Sequence, residues 1–318
     1  MPVLQHLGLF ALGLLILVAG AEALIRGAVN LARLLGVSPF IIGLTLVGFG
    51  TSAPELFVNV SAAIQDSPDL AMGNVVGSNI ANVGLILGVA AVLSRLVTHA
   101  RMLTREVPIM VAVSVLLWLL VGDGVLSRID AGILLLGFAV MTVYYFRIGR
   151  AEPRDIQEEL SELAPRKPAR WGNAILVLFG LAGLVGGAHL MVESATAIAQ
   201  IWEVPEVIIG LTILAIGTSL PELASTVAAA YRKQADIAVG NVVGSNLFNI
   251  LLILGVTGMV KPLEVDASLL QVDLPVMLGF AVAMFLMLLR TETIYRLEGM
   301  ALLLAYAGFI GWQSVQAG

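Results

Sequence analysis

A stretch of 49 residues occurs twice in this chain, as residues 41–89 and again as residues 208–256. The two copies align without a gap at a constant offset of 167, and 29 of the 49 positions are identical. Each copy carries Gly-Thr-Ser-x-Pro-Glu followed by Gly-Asn-Val-Val-Gly-Ser-Asn. A polar motif repeated with this fidelity predicts two equivalent halves that build one site together.

Both copies lie in strongly apolar sequence. Hydrophobic residues make up 59% of the 318 positions and charged residues 12%, whereas soluble domains carry roughly 25% charged residues. The apolar runs reach about 20 residues, which is enough for a helix to cross a bilayer. We therefore expect a polytopic protein whose main partner is the lipid bilayer, with no nucleic-acid partner and no obligate protein partner. The absence of cysteine excludes disulfides and thiolate metal sites.

The pattern predicts ten transmembrane helices. Pro39 and Pro205 mark two helix starts, where a missing N–H is tolerated, and Asp69 and Asp236 mark two more as N-terminal acceptors. The predicted ranges are 5–34, 39–66, 69–94, 103–121, 127–147, 172–202, 205–231, 236–259, 268–289 and 294–314.

The repeat extends beyond the motifs at the same offset, because Gly20 and Glu106 correspond to Gly187 and Asp273. Five helices are thus followed by five more. Since five is odd, the second set must enter the membrane from the opposite side, which is typical of secondary transporters. We predict an all-α polytopic membrane protein with two inverted-topology five-helix repeats (5+5), residues 1–148 and 172–318, joined by a linker at 149–171.

The placement of Lys and Arg predicts the orientation. Of the 17 basic residues, all but Arg128 and Lys261 fall in one set of loops and helix flanks, and such residues favour the cytoplasmic side. We therefore expect both termini outside and the loop 148–171 in the cytoplasm, in a cell inner (plasma) membrane. The mixed charges of that loop indicate a solvated linker.

In the first motif Thr51, Ser52 and Glu55 share one helical face, because they are spaced three and four residues apart. Pro54 removes one backbone hydrogen bond and frees a carbonyl close by. In lipid, a freed carbonyl is tolerated only where protein, water or an ion satisfies it. The second motif repeats the arrangement with Thr218, Ser219 and Glu222.

The third helix of each half adds a hydroxyl and an amide one turn apart, in the pairs Ser78 with Asn82 and Ser245 with Asn249. Together the motifs supply only oxygen ligands, which suit hard cations such as Ca²⁺ and Na⁺. A carboxylate at mid-membrane costs at least ~2.5 kcal/mol and usually marks an ion path. The alternative is that both glutamates are protonated and join helices by hydrogen bonds, which two symmetric contexts disfavour.

Other polar and small residues of the motifs receive structural interpretations. The glycines at small-xxx-small spacing predict close helix packing that brings Ser78 and Asn82 towards Glu55; they are Gly73, Gly77, Gly84, Gly240 and Gly244. The remaining motif asparagines are interpreted as caps of broken backbone; they are Asn74, Asn79, Asn241 and Asn246. Outside the motifs, Glu22 and Arg26 are expected to pair.

The paired motifs resemble the alpha-repeats of the prokaryotic-type sodium/calcium exchangers, within the calcium/cation antiporter superfamily, over essentially the whole chain. The resemblance implies an antiporter, not an enzyme, without cofactor, that exchanges Na⁺ for Ca²⁺ by alternating access. Carried over by position, Glu55 and Glu222 would bind Ca²⁺ with the carbonyls of Thr51 and Thr218. The remaining implied ligands are Ser52, Ser219, Ser78, Ser245, Asn82, Asn249 and the carbonyls of Gly48 and Ala215.

Three alternatives remain open. Coupling to H⁺ or K⁺ would keep the fold; H⁺-coupled relatives typically carry Gly-Asn-x-x-Glu, and potassium-dependent members have Asp where this chain has Asn249. We therefore expect K⁺ independence. An intramembrane hydrolase using Ser52 or Ser219 lacks a His or Lys placed to activate the serine. A channel is disfavoured because opposed repeats favour alternating access.

Overall fold

The computed structural model describes residues 2–35, 42–65, 67–98, 105–148, 170–202 and 215–316, and these are almost entirely helical. In chain order the helices are α1 (Pro2–Leu35), α2 (Gly48–Thr51), α3 (Ala53–Ile64), α4 (Pro68–Ala81), α5 (Gly88–Leu93), α6 (Glu106–Leu120), α7 (Arg128–Ile148), α8 (Arg170–Ile201), α9 (Ala215–Thr218), α10 (Leu220–Tyr231), α11 (Ala235–Phe248), α12 (Gly255–Val260), α13 (Leu274–Thr291) and α14 (Arg296–Gln316). Wider π-helical turns occupy Gly43–Val47, Asn82–Leu87, Asn249–Leu254 and Leu269–Asp273.

The observed helices follow the predicted ranges closely where both are described. The helices expected to start at Asp69 and Asp236 begin one residue earlier, at Pro68 and Ala235. These two acids therefore lie in the first turn, where they still favour the positive end of the helix dipole. The predicted starts at Pro39 and Pro205, residues 208–214 of the second motif and nearly all of the linker lie outside the described residues.

Within the described ranges, six helices are long and apolar enough to cross a membrane, as judged by length and composition. They are Val3–Ala32, Pro68–Leu93, Arg128–Tyr145, Gly172–Ile198, Ala235–Val260 and Leu269–Thr291. Ala53–Ile64 and Glu106–Leu120 are shorter apolar helices. The chain is thus a mostly helical membrane protein, and the count of ten spans stays a prediction.

The third helices of the two halves, Pro68–Leu93 and Ala235–Val260, are the most completely buried of these six. Helix α11 packs directly on the Gly43–Val47 turn of the first motif. A Cβ placed on Gly244 would lie 2.2 Å from the carbonyl oxygen of Leu44, which excludes any larger residue there. The prediction of close packing holds at this glycine.

Close packing at Gly73 and Gly77, the corresponding glycines of the first half, stays a prediction. A Cβ on either would meet no described atom within 4 Å, and the segment that corresponds to Gly43–Val47 in the second half, 210–214, lies outside the described residues.

Helices α1 and α8 form a pair in backbone contact. A Cβ on Gly180 would lie 2.5 Å from the backbone nitrogen of Leu24, and one on Gly187 would lie 2.5 Å from that of Leu17. Glycine at these positions lets the two helices approach without intervening side chains. The pair is tied to the rest of the protein by Glu22, which bonds Arg26 as predicted and also Arg232 after α10.

The two halves interlock through their last helices. Gly255 of α12 packs against Leu135 of α7, where an added Cβ would lie 2.8 Å from the Leu135 Cγ. Gly88 of α5 packs against Leu303 of α14 in the same manner, at 2.9 Å. Helix α7 of the first half thus packs on α12 of the second, and α14 of the second half packs on α5 of the first.

Four two-residue strands were not predicted. Strand β1 (Leu96–Val97) pairs antiparallel with β4 (Thr293–Ile294), and β2 (Val125–Leu126) pairs with β3 (Leu263–Glu264). Each pair joins a loop of one half to a loop of the other. The pairing satisfies backbone groups that a helix end leaves free, and the contact depends on the tertiary fold, so no local pattern reveals it.

Candidate cation site

The two motif glutamates occupy equivalent places in the fold. Glu55 lies in the first turn of α3 and Glu222 in the first turn of α10, and each is 2% exposed. The backbone departs from α-helical angles just before each helix, at Ser52 (φ −84°, ψ 4°) and Ser219 (φ −89°, ψ 1°). A proline near each helix start tolerates this break because it has no N–H to satisfy. Both carboxylates therefore sit at the positive end of a helix dipole.

The structure brings the two motifs together at these glutamates. The hydroxyl of Ser52 donates to Glu222 Oε1 over 3.2 Å. Glu55 occupies the equivalent position in the first motif, so this bond links two motifs that each carry a buried carboxylate. Buried negative charges are costly unless a cation or a proton compensates them.

Thr51 and Gly48 occupy the turn before this break. The Thr51 hydroxyl is fully buried and donates to the carbonyl of Val47 at 3.1 Å. Its oxygen also lies 3.4 Å from Oδ1 of Asn241 in the second motif. A Cβ on Gly48 would lie 3.2 Å from the backbone nitrogen of Ser245. The backbones of the two motifs are therefore in close contact at these two predicted ligands.

Two amide pairs cross between the motifs in a reciprocal way. Nδ2 of Asn82 donates to Oδ1 of Asn246 at 2.9 Å, and Nδ2 of Asn249 donates to Oδ1 of Asn79 at 3.0 Å. Adding or subtracting 167 converts one bond into the other. The side chains of the two halves are therefore related by a pseudo-twofold arrangement at this point.

Five buried oxygens of the predicted ligands receive no hydrogen bond from any described residue. They are Oε2 of Glu55, Oε2 of Glu222, Oδ1 of Asn82, Oδ1 of Asn249 and Oγ of Ser245. A buried acceptor without a donor costs about 1–3 kcal/mol. Carboxylate, amide and hydroxyl oxygens are the ligands that hard cations prefer, and a cation would satisfy them. The residues present thus fit Ca²⁺ or Na⁺ as substrate.

The remaining predicted ligands are less closely connected. Ser78 is buried in α4 and Ser219 precedes α10, and no described side-chain hydrogen bond joins either to another predicted ligand. Thr218 ends α9 and Ala215 begins it; the side chain of Ala215 lies outside the described residues. No group of three His, Cys, Asp or Glu side chains is gathered anywhere in the described ranges, so a cation here would depend on neutral oxygens as well.

Three of the four asparagines interpreted as backbone caps do more than that. Asn79 and Asn246 bond the central amides, and Asn79 also donates to the Asn246 carbonyl at 3.4 Å. Asn241 donates to Ser225 Oγ at 3.0 Å and to Thr226 Oγ1 at 2.8 Å. Asn79 and Asn246 are repeated at the offset of 167. This repetition was the signal that could have identified them as partners in a shared site.

A protein-family model described as "Sodium/calcium exchanger protein" matches residues 5–147 and 172–315. The chain belongs to the sodium/calcium exchanger family. The match covers both motifs and nearly all of the described helices, so the resemblance noted in the sequence is confirmed.

Individual relatives are similar along nearly their whole length. A putative antiporter, CaxA, from Alkalimonas amylolytica is 39% identical over 303 residues, which cover 93% of this chain and 95% of that protein. The sodium/calcium exchanger MaX1 from Methanosarcina acetivorans is 36% identical over 94% of this chain and 95% of its own length. A solved structure of the sodium-calcium exchanger NCX_Mj, soaked with Na⁺ and Sr²⁺, superposes with a TM-score of 0.87 at 30% identity, covering 97% of this chain and 98% of that one.

Proposed function

We propose that this protein is a secondary active antiporter that exchanges Na⁺ for Ca²⁺ across the membrane by alternating access, without K⁺. The observation that carries the proposal is the set of five buried oxygens without a described donor, two of which belong to the motif glutamates. The similar proteins MaX1 and NCX_Mj, both named as sodium/calcium exchangers, support the same pair of substrates. The protein is proposed to be a transporter and not an enzyme.

The twelve predicted ligands form the proposed transport site. Glu55 and Glu222 compensate the charge of Ca²⁺, and the carbonyls of Thr51 and Thr218 assist them. Ser52, Ser219, Ser78, Ser245 and the carbonyls of Gly48 and Ala215 complete the Na⁺ positions, while Asn82 and Asn249 line the centre. The unpartnered oxygen of Ser245 supports its place in this set.

The exchange follows from the charge of the site. Without cations, two buried carboxylates cannot be enclosed cheaply in a low-dielectric interior. One Ca²⁺ neutralises the pair, and Na⁺ ions that compete for the same oxygens can do so in its place. The site therefore switches its access from one side of the membrane to the other only when cations are bound. The gradient of one ion then drives the transport of the other.

The proposed architecture is ten transmembrane helices in two inverted repeats, 1–148 and 172–318. The reciprocal amide bonds Asn82–Asn246 and Asn249–Asn79 support a twofold relation between the repeats. The closely packed pair α1 and α8 is proposed to move across the remaining helices as the gate. Both termini lie outside and the linker 149–171 is cytoplasmic, in the inner (plasma) membrane.

Potassium independence rests on Asn249. Its amide contributes no charge, so the site holds two negative charges, which one Ca²⁺ matches. A third carboxylate would demand a further cation or a proton.

The test is uptake of ⁴⁵Ca²⁺ into proteoliposomes loaded with Na⁺, in which Na⁺, K⁺ and pH are varied one at a time. We expect uptake that requires an outward Na⁺ gradient and persists when choline replaces K⁺ at constant pH. Uptake that follows a pH gradient without Na⁺ would instead establish proton coupling.

A further inference from the structure

We propose that Asn246 and Asn79 are positioning residues, which hold the amides of Asn82 and Asn249 with their oxygens towards the cations. Two methionines, Met110 and Met277, fix the orientation of these positioning residues in turn. The proposal rests on the function proposed above. It adds to the same site the residues that orient its neutral amide ligands.

The first relay runs from α6 to the π-helical turn of the first half. Nδ2 of Asn246 donates to Sδ of Met110 at 3.5 Å. Oδ1 of Asn246 then accepts from Nδ2 of Asn82 at 2.9 Å. The remaining polar atom of Asn82, its Oδ1, is buried and accepts no hydrogen bond from the described residues.

The second relay repeats the first at the offset of 167. Nδ2 of Asn79 donates to Sδ of Met277 at 3.6 Å and also to the carbonyl of Asn246 at 3.4 Å, and Oδ1 of Asn79 accepts from Nδ2 of Asn249 at 3.0 Å. Oδ1 of Asn249 is again buried and without a described donor. Met110 and Met277 are themselves equivalent by the repeat, and both are buried. The same three-residue chain thus occurs twice.

The chemistry of the groups gives each relay one direction. A thioether sulfur accepts hydrogen bonds and cannot donate, whereas an amide has one end that donates and one that accepts. A methionine beside Asn246 therefore selects the rotamer whose Nδ2 faces the sulfur. Its Oδ1 must then face Asn82, whose Nδ2 is drawn to it. The only end of Asn82 left for the cations is the oxygen.

The orientation matters because the two ends of an amide are similar in shape but carry opposite partial charges. An amide flipped by 180° would present N–H donors to a cation and repel it. The side chains of the central asparagines make no other described hydrogen bond, so the relay sets their orientation. The cost of losing it falls on cation affinity rather than on the fold.

A double-mutant cycle on Ca²⁺ binding tests the proposal. Equilibrium ⁴⁵Ca²⁺ binding to the purified full-length protein in Na⁺-free detergent solution would be measured for wild type, Asn82→Ala, Asn246→Leu and the double variant. Each single substitution should weaken binding about tenfold, as expected for the loss of one oxygen contact with the cation. The double variant should bind no more weakly than Asn82→Ala alone, because Asn246 acts only through the oxygen of Asn82.

The outcomes separate the relay from the transport function. Wild-type binding with fully additive losses in the cycle overturns the relay and leaves the proposed function intact. A wild-type protein that does not bind Ca²⁺ overturns both. The equivalent cycle with Asn249→Ala and Asn79→Leu provides the test if Asn246→Leu fails to fold.

The methionines offer a milder variant with a matched control. Met277→Leu conserves volume and removes the sulfur acceptor, whereas Met284→Leu makes the same change at a buried methionine of the same helix whose sulfur takes part in no described hydrogen bond. We expect weaker Ca²⁺ binding in the first variant and unchanged binding in the second. Equal affinities in the two would overturn orientation by the thioether.

Discussion

Ser52 in the first motif donates its hydroxyl hydrogen to Oε1 of Glu222 in the second motif, across 3.2 Å and 170 positions of sequence. The bond leaves Oε2 of the same carboxylate without a donor in the described residues. One oxygen is thus held by the protein and the other is free for an ion. Both halves of the repeat are needed to make this arrangement.

The pairing of α1 and α8 through glycine should be sensitive to a single methyl group. Gly187→Ala places a Cβ 2.5 Å from the backbone nitrogen of Leu17, and overpacking of this kind costs about 1–3 kcal/mol. We expect a lower thermal unfolding midpoint in detergent and slower exchange. Gly186→Ala is the matched control, because its Cβ would meet no described atom within 4 Å. Equal midpoints for the two variants would show that the helices do not pack as described.

The topology can be tested without background labelling, because the chain has no cysteine. Ser67→Cys, in the loop before α4, should react with an impermeant thiol reagent added to intact cells. Ser161→Cys, in the linker, should react only after the cells are opened. The expectation follows from the uneven placement of Lys and Arg. The reverse pattern of labelling would invert the assigned orientation.

The neutral amide at position 249 predicts how charge sets ion coupling. Asn249→Asp adds a third negative charge, which one Ca²⁺ leaves uncompensated in a buried site. We expect Ca²⁺ uptake by the variant to become dependent on pH or responsive to K⁺, whereas wild-type uptake responds to neither. Initial rates across a pH series, in K⁺ medium and in choline medium, would measure this. A variant with the wild-type profile would show that position 249 does not face the ions.

Much of the fold follows from the sequence because its main signals are local. Apolar runs of sufficient length predict helices such as α7 and α8 to within about two residues, and the repeat predicts which residues are equivalent. The two-residue strands depend on contacts between distant segments. The packing of α7 and α14 against the opposite half depends on such contacts as well. No periodicity within one helix encodes those contacts.

The candidate site shows the same division. Glu55 and Glu222 are conspicuous as carboxylates in apolar runs, and their burial agrees with the expectation. The roles of Asn79 and Asn246 depend on which end of an amide faces a neighbour from the other half. Met110 and Met277 read as ordinary apolar residues of their helices, so their contacts with the asparagines were visible only in three dimensions.

The two glutamates carry the central claim, and their neutralisation tests it most directly. Na⁺-driven ⁴⁵Ca²⁺ uptake would be measured in proteoliposomes containing wild type, Glu55→Gln, Glu222→Gln or Glu193→Gln, each first shown to be folded in detergent. Gln keeps the shape and removes the charge, so both motif variants should lose exchange, while the exposed Glu193 should tolerate the change. Near wild-type exchange by either motif variant would contradict a shared cation site built on both glutamates.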